Sequence, residues 1–159
     1  MLASGTIADG EHDRAGKDQL GHASAVLLGR KTYEGLAAYW SPLKDDWADL
    51  INPKLKYVAS RTLHGPLEWN ATLLEGDTTA AVSKLKAELP SDLLMYGCGE
   101  LARSLLATTL IDELRFWVHP AVWGGGERPL QGEARNRLRL LGSEAFDSGV
   151  TLLCYAPIY

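Results

Sequence analysis

Three short stretches of this chain place glycine, hydroxyl and guanidinium groups where an apolar run gives way to polar sequence: Gly29-Arg30-Lys31-Thr32, Ser60-Arg61-Thr62 and Gly97-Cys98-Gly99-Glu100-Leu101. Their shared chemistry is anion binding. Arginine meets a phosphate with a planar fork of N–H donors, and glycine lets an anion reach the main chain where a Cβ would stand in the way. The third stretch follows Leu93-Leu94-Met95-Tyr96, which reads as a buried strand, and opens into Glu100–Ala107, whose apolar residues fit a helix. A helix beginning at such a joint offers free N–H groups and a partial positive charge. Gly-x-Gly at a strand–helix joint also serves plain tight packing, and this segment alone does not choose. Convergence of all three at strand ends fits an extended ligand carrying several phosphates.

The elements that must hold these stretches follow from the hydrophobic pattern. Met1–Ala8 reads as a first strand broken at the turn pair Asp9-Gly10, Glu11–Lys17 as charged loop, and Asp18–Ala23 as a short helix. Ala25-Val26-Leu27-Leu28 is a second strand, with Thr32 an N-cap for a helix over Tyr33–Tyr39. Pro42 opens a helical piece over Leu43–Ile51. Leu55–Ala59 and Thr72–Leu74 read as strands, and Thr78–Leu89 as a helix stopped by Pro90. Leu114–Val118 is expected to continue through His119-Pro120 into Ala121-Val122-Trp123 as one long strand. Leu138–Leu141 and Val150–Tyr155 close the chain around an Asp147-Ser148-Gly149 turn. Alternating strands and helices followed by consecutive strands predict an α/β sheet, parallel first and antiparallel at its C-terminal edge. In such sheets ligands collect at the carboxyl ends of the strands.

Composition narrows the class. A chain of 159 residues is most simply one domain, with a core that needs no staples or metals. A formal charge of −4 argues against a broad nucleic-acid surface. Cys98 and Cys154 lie far apart, without partners at metal-binding spacing, and read as reduced and buried, which suits a cytoplasmic protein. Cys98 beside a helix start is a conceivable reactive thiol as well as a small residue filling a tight joint. With no apolar run of about eighteen residues, no membrane span is expected. No secretory signal is expected either, because the N-terminus has no basic patch followed by an apolar stretch.

The ordered set Leu27-Leu28-Gly29-Arg30-Lys31-Thr32-Tyr33-Glu34-Gly35, Val58-Ala59-Ser60-Arg61-Thr62-Leu63, Gly97-Cys98-Gly99-Glu100-Leu101 and Ile111-Asp112-Glu113-Leu114 resembles the dihydrofolate-reductase-like fold. The tail adds His119-Pro120, Gly124-Gly125-Gly126-Glu127-Arg128-Pro129-Leu130 and Gly149–Tyr155. Within that fold the chain looks most like the reductase domain of bacterial riboflavin biosynthesis and its stand-alone relatives, over nearly its whole length. The resemblance implies a three-layer α/β fold, with a mixed central sheet flanked by helices, and it implies NADPH. Gly29, Arg30, Lys31 and Thr32 would cover the cofactor phosphates. Ser60 and Arg61, with Thr62 beside them, would sit at the adenosine end and read the 2′-phosphate. Gly97, Cys98, Gly99, Glu100 and Leu101 would cradle the diphosphate.

The implied reaction is hydride transfer to a small aminopyrimidine- or pterin-like heterocycle, as in reduction of 5-amino-6-(5-phosphoribosylamino)uracil. Asp9 matches the family's Asp-Gly and is the candidate proton donor; a turn aspartate is its alternative role. His119, Glu127 and Arg128 are further candidates for the substrate side. A folate reductase is the nearer rival and would want an acidic residue on the first long helix, where only Glu11, Asp13 and Asp18 stand. A protein that holds a nicotinamide nucleotide without turnover, as a sensor, is the reading from another class. The interval Glu11–Gln19 is shorter than in many relatives, leaving a pocket that is open, shallow or completed by another subunit. Apolar C-terminal strands and family habit point to a homodimer.

Overall fold

The computed structural model describes residues 10–126, 128–130 and 137–159. Its centre is β1 (Ala25–Gly29), whose Ala25, Val26, Leu27 and Leu28 are all buried, as a parallel strand covered on both faces requires. β2 (Leu55–Ala59) and β4 (Leu93–Tyr96) flank it, and β3 (Ala71–Leu73) lies outside β2, giving the all-parallel order β3-β2-β1-β4. On one face Val26, Leu28 and Val58 pack with Leu20 of α1 (Glu11–His22), Tyr33 of α2 (Arg30–Trp40) and Ile51 of α3 (Asp46–Ile51). On the other, Leu27 packs with Val82 of α4 (Thr78–Glu88), with Leu105 and Leu106 of α5 (Glu100–Ala107), and with Ile111. Helix, sheet and helix make the three layers expected.

The chain then turns antiparallel. β5 (Leu114–Val118), β6 (Arg137–Ala145) and β7 (Thr151–Ile158) form a second sheet in the order β5-β7-β6. Leu114 packs on the second core cluster, and Tyr159 donates its hydroxyl to the Ile111 carbonyl at 2.7 Å. The β6–β7 turn reaches α1, where Ser148 and the His12 ring lie 3.0 Å apart and His12 meets Phe146 edge-on. Trp117 stacks on Phe146. Among the described residues no ladder joins the two sheets, and no helix is long and apolar enough to cross a membrane.

Several local expectations are corrected. Glu11–Lys17 is helix rather than loop, because Lys17 pairs with Asp13 one turn away and Trp47 donates its indole N–H to Asp13. Gly16 admits the Trp47 ring, which would stand 2.9 Å from a Cβ there. Thr32 is not an N-cap. α2 begins at Arg30 behind Gly29, which places Thr32 inside the first turn. α3 starts at Asp46 rather than near Pro42, since Asp45 accepts the Ala48 N–H at 2.9 Å. β5 stops at Val118, where its partner β7 also begins at Thr151. Pro120 has no N–H to extend a ladder, Ala121 instead bonds back to His119, and Val122 is fully exposed. Cys98 is exposed and Cys154 half-buried, so neither is the buried thiol expected. The strand read over Met1–Ala8 lies outside the described residues.

One buried charge supports the first face. Lys56 is wholly buried; its ammonium donates to the carbonyls of Lys54 at 2.7 Å and Asn52 at 3.1 Å and lies 4.1 Å from the Trp69 ring centroid. Burial, with the nearby Lys54 charge, pushes its pKa down to about 8. Between that value and the ordinary lysine value, the unfolded chain holds a proton that the folded chain has lost. Stability should therefore rise with pH from about 8 toward about 10, after subtraction of the same titration in Lys56→Met. Urea unfolding of both forms across that range measures it; parallel curves would contradict the assignment.

Candidate functional site

Parallel pairing puts the ends of three neighbouring strands at one edge. Gly29 of β1 lies beside Ala59 of β2, and Leu28 lies beside Tyr96 of β4. The segments that leave these strands, 29–32, 60–62 and 97–101, therefore start side by side. Two contacts close them on one another. Gly97 has φ +96°, and a Cβ there would stand 2.9 Å from Thr32 Oγ1, so the glycine turn lies directly against the first turn of α2. Arg61 donates through Nη2 to Glu100 Oε1 at 2.9 Å, joining the second segment to the third. The structure thus brings together the glycine, hydroxyl and arginine segments singled out in the sequence.

The helix starts at this edge are open. Gly29 caps α2 and Gly99 caps α5, and neither offers a side-chain acceptor to the first N–H groups. Away from the edge, α3 and α4 are closed by Asp45 and Asp77, which accept from Ala48 and Ala80. Uncapped N–H groups at two neighbouring helix starts, aimed from adjacent strand ends, make a surface suited to a diphosphate. The close approach of this turn to α2 depends on Gly97, because a side chain there would clash with the Thr32 hydroxyl.

The other candidates divide by surroundings. Arg30 and Lys31 are exposed at the head of α2, with Arg30 3.6 Å from Glu34. Ser60 Oγ accepts the N–H groups of Thr62 and Leu63 at 3.1 and 3.0 Å, so it shapes its own turn and leaves Arg61 to project. Thr62 and Cys98 are exposed beside these groups, whereas Leu101 packs into the second core cluster and offers the site only main chain. Asp9 and Glu127 lie outside the described residues. His119 is exposed and off the strand where it was expected.

Two features escaped the sequence. Leu130 donates its N–H to the Cys98 carbonyl at 3.0 Å and packs on the second cluster, so it lies against the third segment. The run Arg128-Pro129-Leu130 was the only hint of it. Tyr96, the last residue of β4, packs against the first cluster, and burial pushes its hydroxyl pKa up to about 12.

Comparison with known proteins agrees with this architecture. Residues 3–152 match the family model described as the RibD C-terminal domain. The chain is 31% identical over 147 residues to the uncharacterized protein YyaP of Bacillus subtilis (strain 168), covering 87% of this chain and 76% of that one. It is similar in fold to a putative riboflavin biosynthesis protein from Shewanella sp. PV-4, with a TM-score of 0.69 at 22% identity, over 89% of this chain and 78% of the other. It also resembles a pyrimidine reductase-like protein from Corynebacterium diphtheriae, with a TM-score of 0.60 at 17% identity, over 98% and 84% of the two chains.

Proposed function

The chain belongs to the RibD C-terminal domain family, and on that footing we propose that it is an NADPH-dependent reductase of a small aminopyrimidine- or pterin-like heterocycle. One observation carries the reading: three neighbouring strand ends supply a glycine cradle, two open helix starts and an arginine within reach of one another. The residues present fit a dinucleotide. Gly99, open at its Cβ position, would give main-chain access to a diphosphate while Gly97 holds the turn against α2, the heads of α2 and α5 would supply N–H donors, and Arg30 and Lys31 add positive charge. Arg61 would meet the 2′-phosphate, with Ser60 and Thr62 shaping its turn.

When bound, the reduced nicotinamide supplies the hydride. The chain's own part is to align it and exclude water. Asp9 remains the proposed proton donor. The folate-reductase alternative is less favoured, because Asp13 is engaged by Lys17 and Trp47 while Glu11 and Asp18 are exposed on α1. The Shewanella and Corynebacterium proteins are described as a putative riboflavin biosynthesis protein and a pyrimidine reductase-like protein, which favours an aminopyrimidine over a pterin. The test is loss of NADPH absorbance on incubation with aminopyrimidine ribosyl phosphates, pterins and reactive carbonyls. Steady consumption with one class is expected. Binding without consumption across the panel would overturn the catalytic reading in favour of a sensor.

The same reading takes residues 1–159 as a single cytoplasmic domain acting as a homodimer. Support for the dimer comes from β6, which among the described residues is an edge strand exposed at every position, with Leu138, Leu140 and Leu141 among them. Long apolar edges seldom stay bare. Arg137 and Arg139 lie toward one end and Glu144 toward the other, so a two-fold partner running antiparallel would set opposite charges together. Leu140→Glu should convert a dimer to monomer by light scattering; a monomeric native protein at working concentration would contradict this.

A further inference from the structure

The ion pair across the cleft assigns a role to Glu100 that the cofactor reading does not require. We propose that Glu100 is a specificity-determining residue, an internal carboxylate that competes with a ligand phosphate for Arg61 and thereby sets the discrimination between phosphorylated and unphosphorylated dinucleotides. The inference rests on the dinucleotide reading of this cleft.

The observations are geometric. Arg61 and Glu100 come from segments 39 residues apart in the chain, yet their side chains meet at 2.9 Å. Both are largely exposed, at 86% and 73%, so the pair ties the second and third segments together at the surface rather than supporting the core. An exposed pair of this kind is weak and opens readily. Glu100 is also the first residue of α5, directly after the uncapped Gly99, which puts its negative charge where anions are favoured.

Two bound arrangements follow. A ligand bearing a phosphate monoester takes the guanidinium, because a dianion forms stronger bidentate bonds than a single carboxylate oxygen. Glu100 must then let go and remain nearby as a like charge. A ligand with a free ribose hydroxyl leaves the pair closed, and the carboxylate is available to accept that hydroxyl, as acidic residues do in dinucleotide sites selective for the unphosphorylated form. Glu100 therefore lowers the preference for phosphate that Arg61 alone would impose.

The experiment measures dissociation constants of NADPH and NADH, by nicotinamide fluorescence at low and moderate salt, for the native chain, Glu100→Gln, Glu100→Asp, Arg61→Ala and the double variant Arg61→Ala/Glu100→Gln. Glu100→Gln should tighten NADPH about fivefold, the scale of an exposed ion pair, and leave NADH unchanged or weaker. Glu100→Asp should keep a ratio near the native one. In the Arg61→Ala background Glu100→Gln should move the ratio clearly less than in the native chain, since no guanidinium remains to be freed and only the like charge and the hydroxyl contact are removed. Binding with an NADPH/NADH ratio that Glu100→Gln does not move, or moves equally without Arg61, overturns the selector alone. Failure of every form to bind either coenzyme overturns the dinucleotide reading and the selector with it.

Discussion

Gly97→Val should abolish NADPH binding and destabilise the protein at once. The position combines two demands that only glycine meets. Its φ of +96° is a conformation that a β-branched residue avoids, and its ideal Cβ would stand 2.9 Å from Thr32 Oγ1. The backbone conformation alone costs about 1–3 kcal/mol, and relief of the clash pushes the 97–101 turn away from the head of α2. A diphosphate then loses the N–H groups of one helix start. The expected result is a loss of NADPH affinity of more than about 100-fold, beyond 2.7 kcal/mol or so, with a lowered urea midpoint. Gly97→Ala should show the same pattern more weakly. Adding Thr32→Ala to it should recover part of the stability by removing the clash, but not the part set by φ. Calorimetric titration and urea unfolding of this series check it. Native affinity in Gly97→Ala would mean that the turn does not hold the ligand.

Arg61→Ala should separate the two coenzymes. The side chain is exposed and held only at its tip by Glu100, so its removal takes away one charge-assisted contact without disturbing the core. Such a contact is worth about 1–3 kcal/mol, or roughly fivefold to 150-fold in affinity. NADPH should weaken by that factor, while NADH, which has no 2′-phosphate, should change by less than about threefold. Unfolding should be unaltered, because an exposed ion pair contributes little to stability. Equal losses for both coenzymes would place Arg61 at the diphosphate or at no ligand at all.

What the chain reveals without coordinates depends on whether a signal is local. β1 and β4 are legible as short continuous apolar runs, β2 as an apolar run broken only by Lys56, and α5 as an amphipathic run opened by the glycines before it. The site segments are legible for the same reason. α1 was hidden because its helix is secured by Trp47, which lies 34 residues beyond its partner Asp13. Thr32 looked like a cap by residue type, but the start of α2 is set one turn earlier by Gly29, and the hydroxyl lies against Gly97 instead. The long strand expected through Pro120 ended where the register of β7 ended. Likewise the Arg61–Glu100 pair and the Leu130–Cys98 hydrogen bond exist only once the sheet has ordered its strands. Local composition identified the pieces of the cleft; the pairing of β2, β1 and β4 made them neighbours.

The most direct test of the cleft is isothermal titration calorimetry of the purified chain with NADPH. Saturable uptake of one coenzyme per chain, lost in Gly97→Val and weakened in Arg61→Ala, is the result predicted. No measurable heat with NADPH or NADH for the native chain would contradict the assignment of these three strand ends to a dinucleotide.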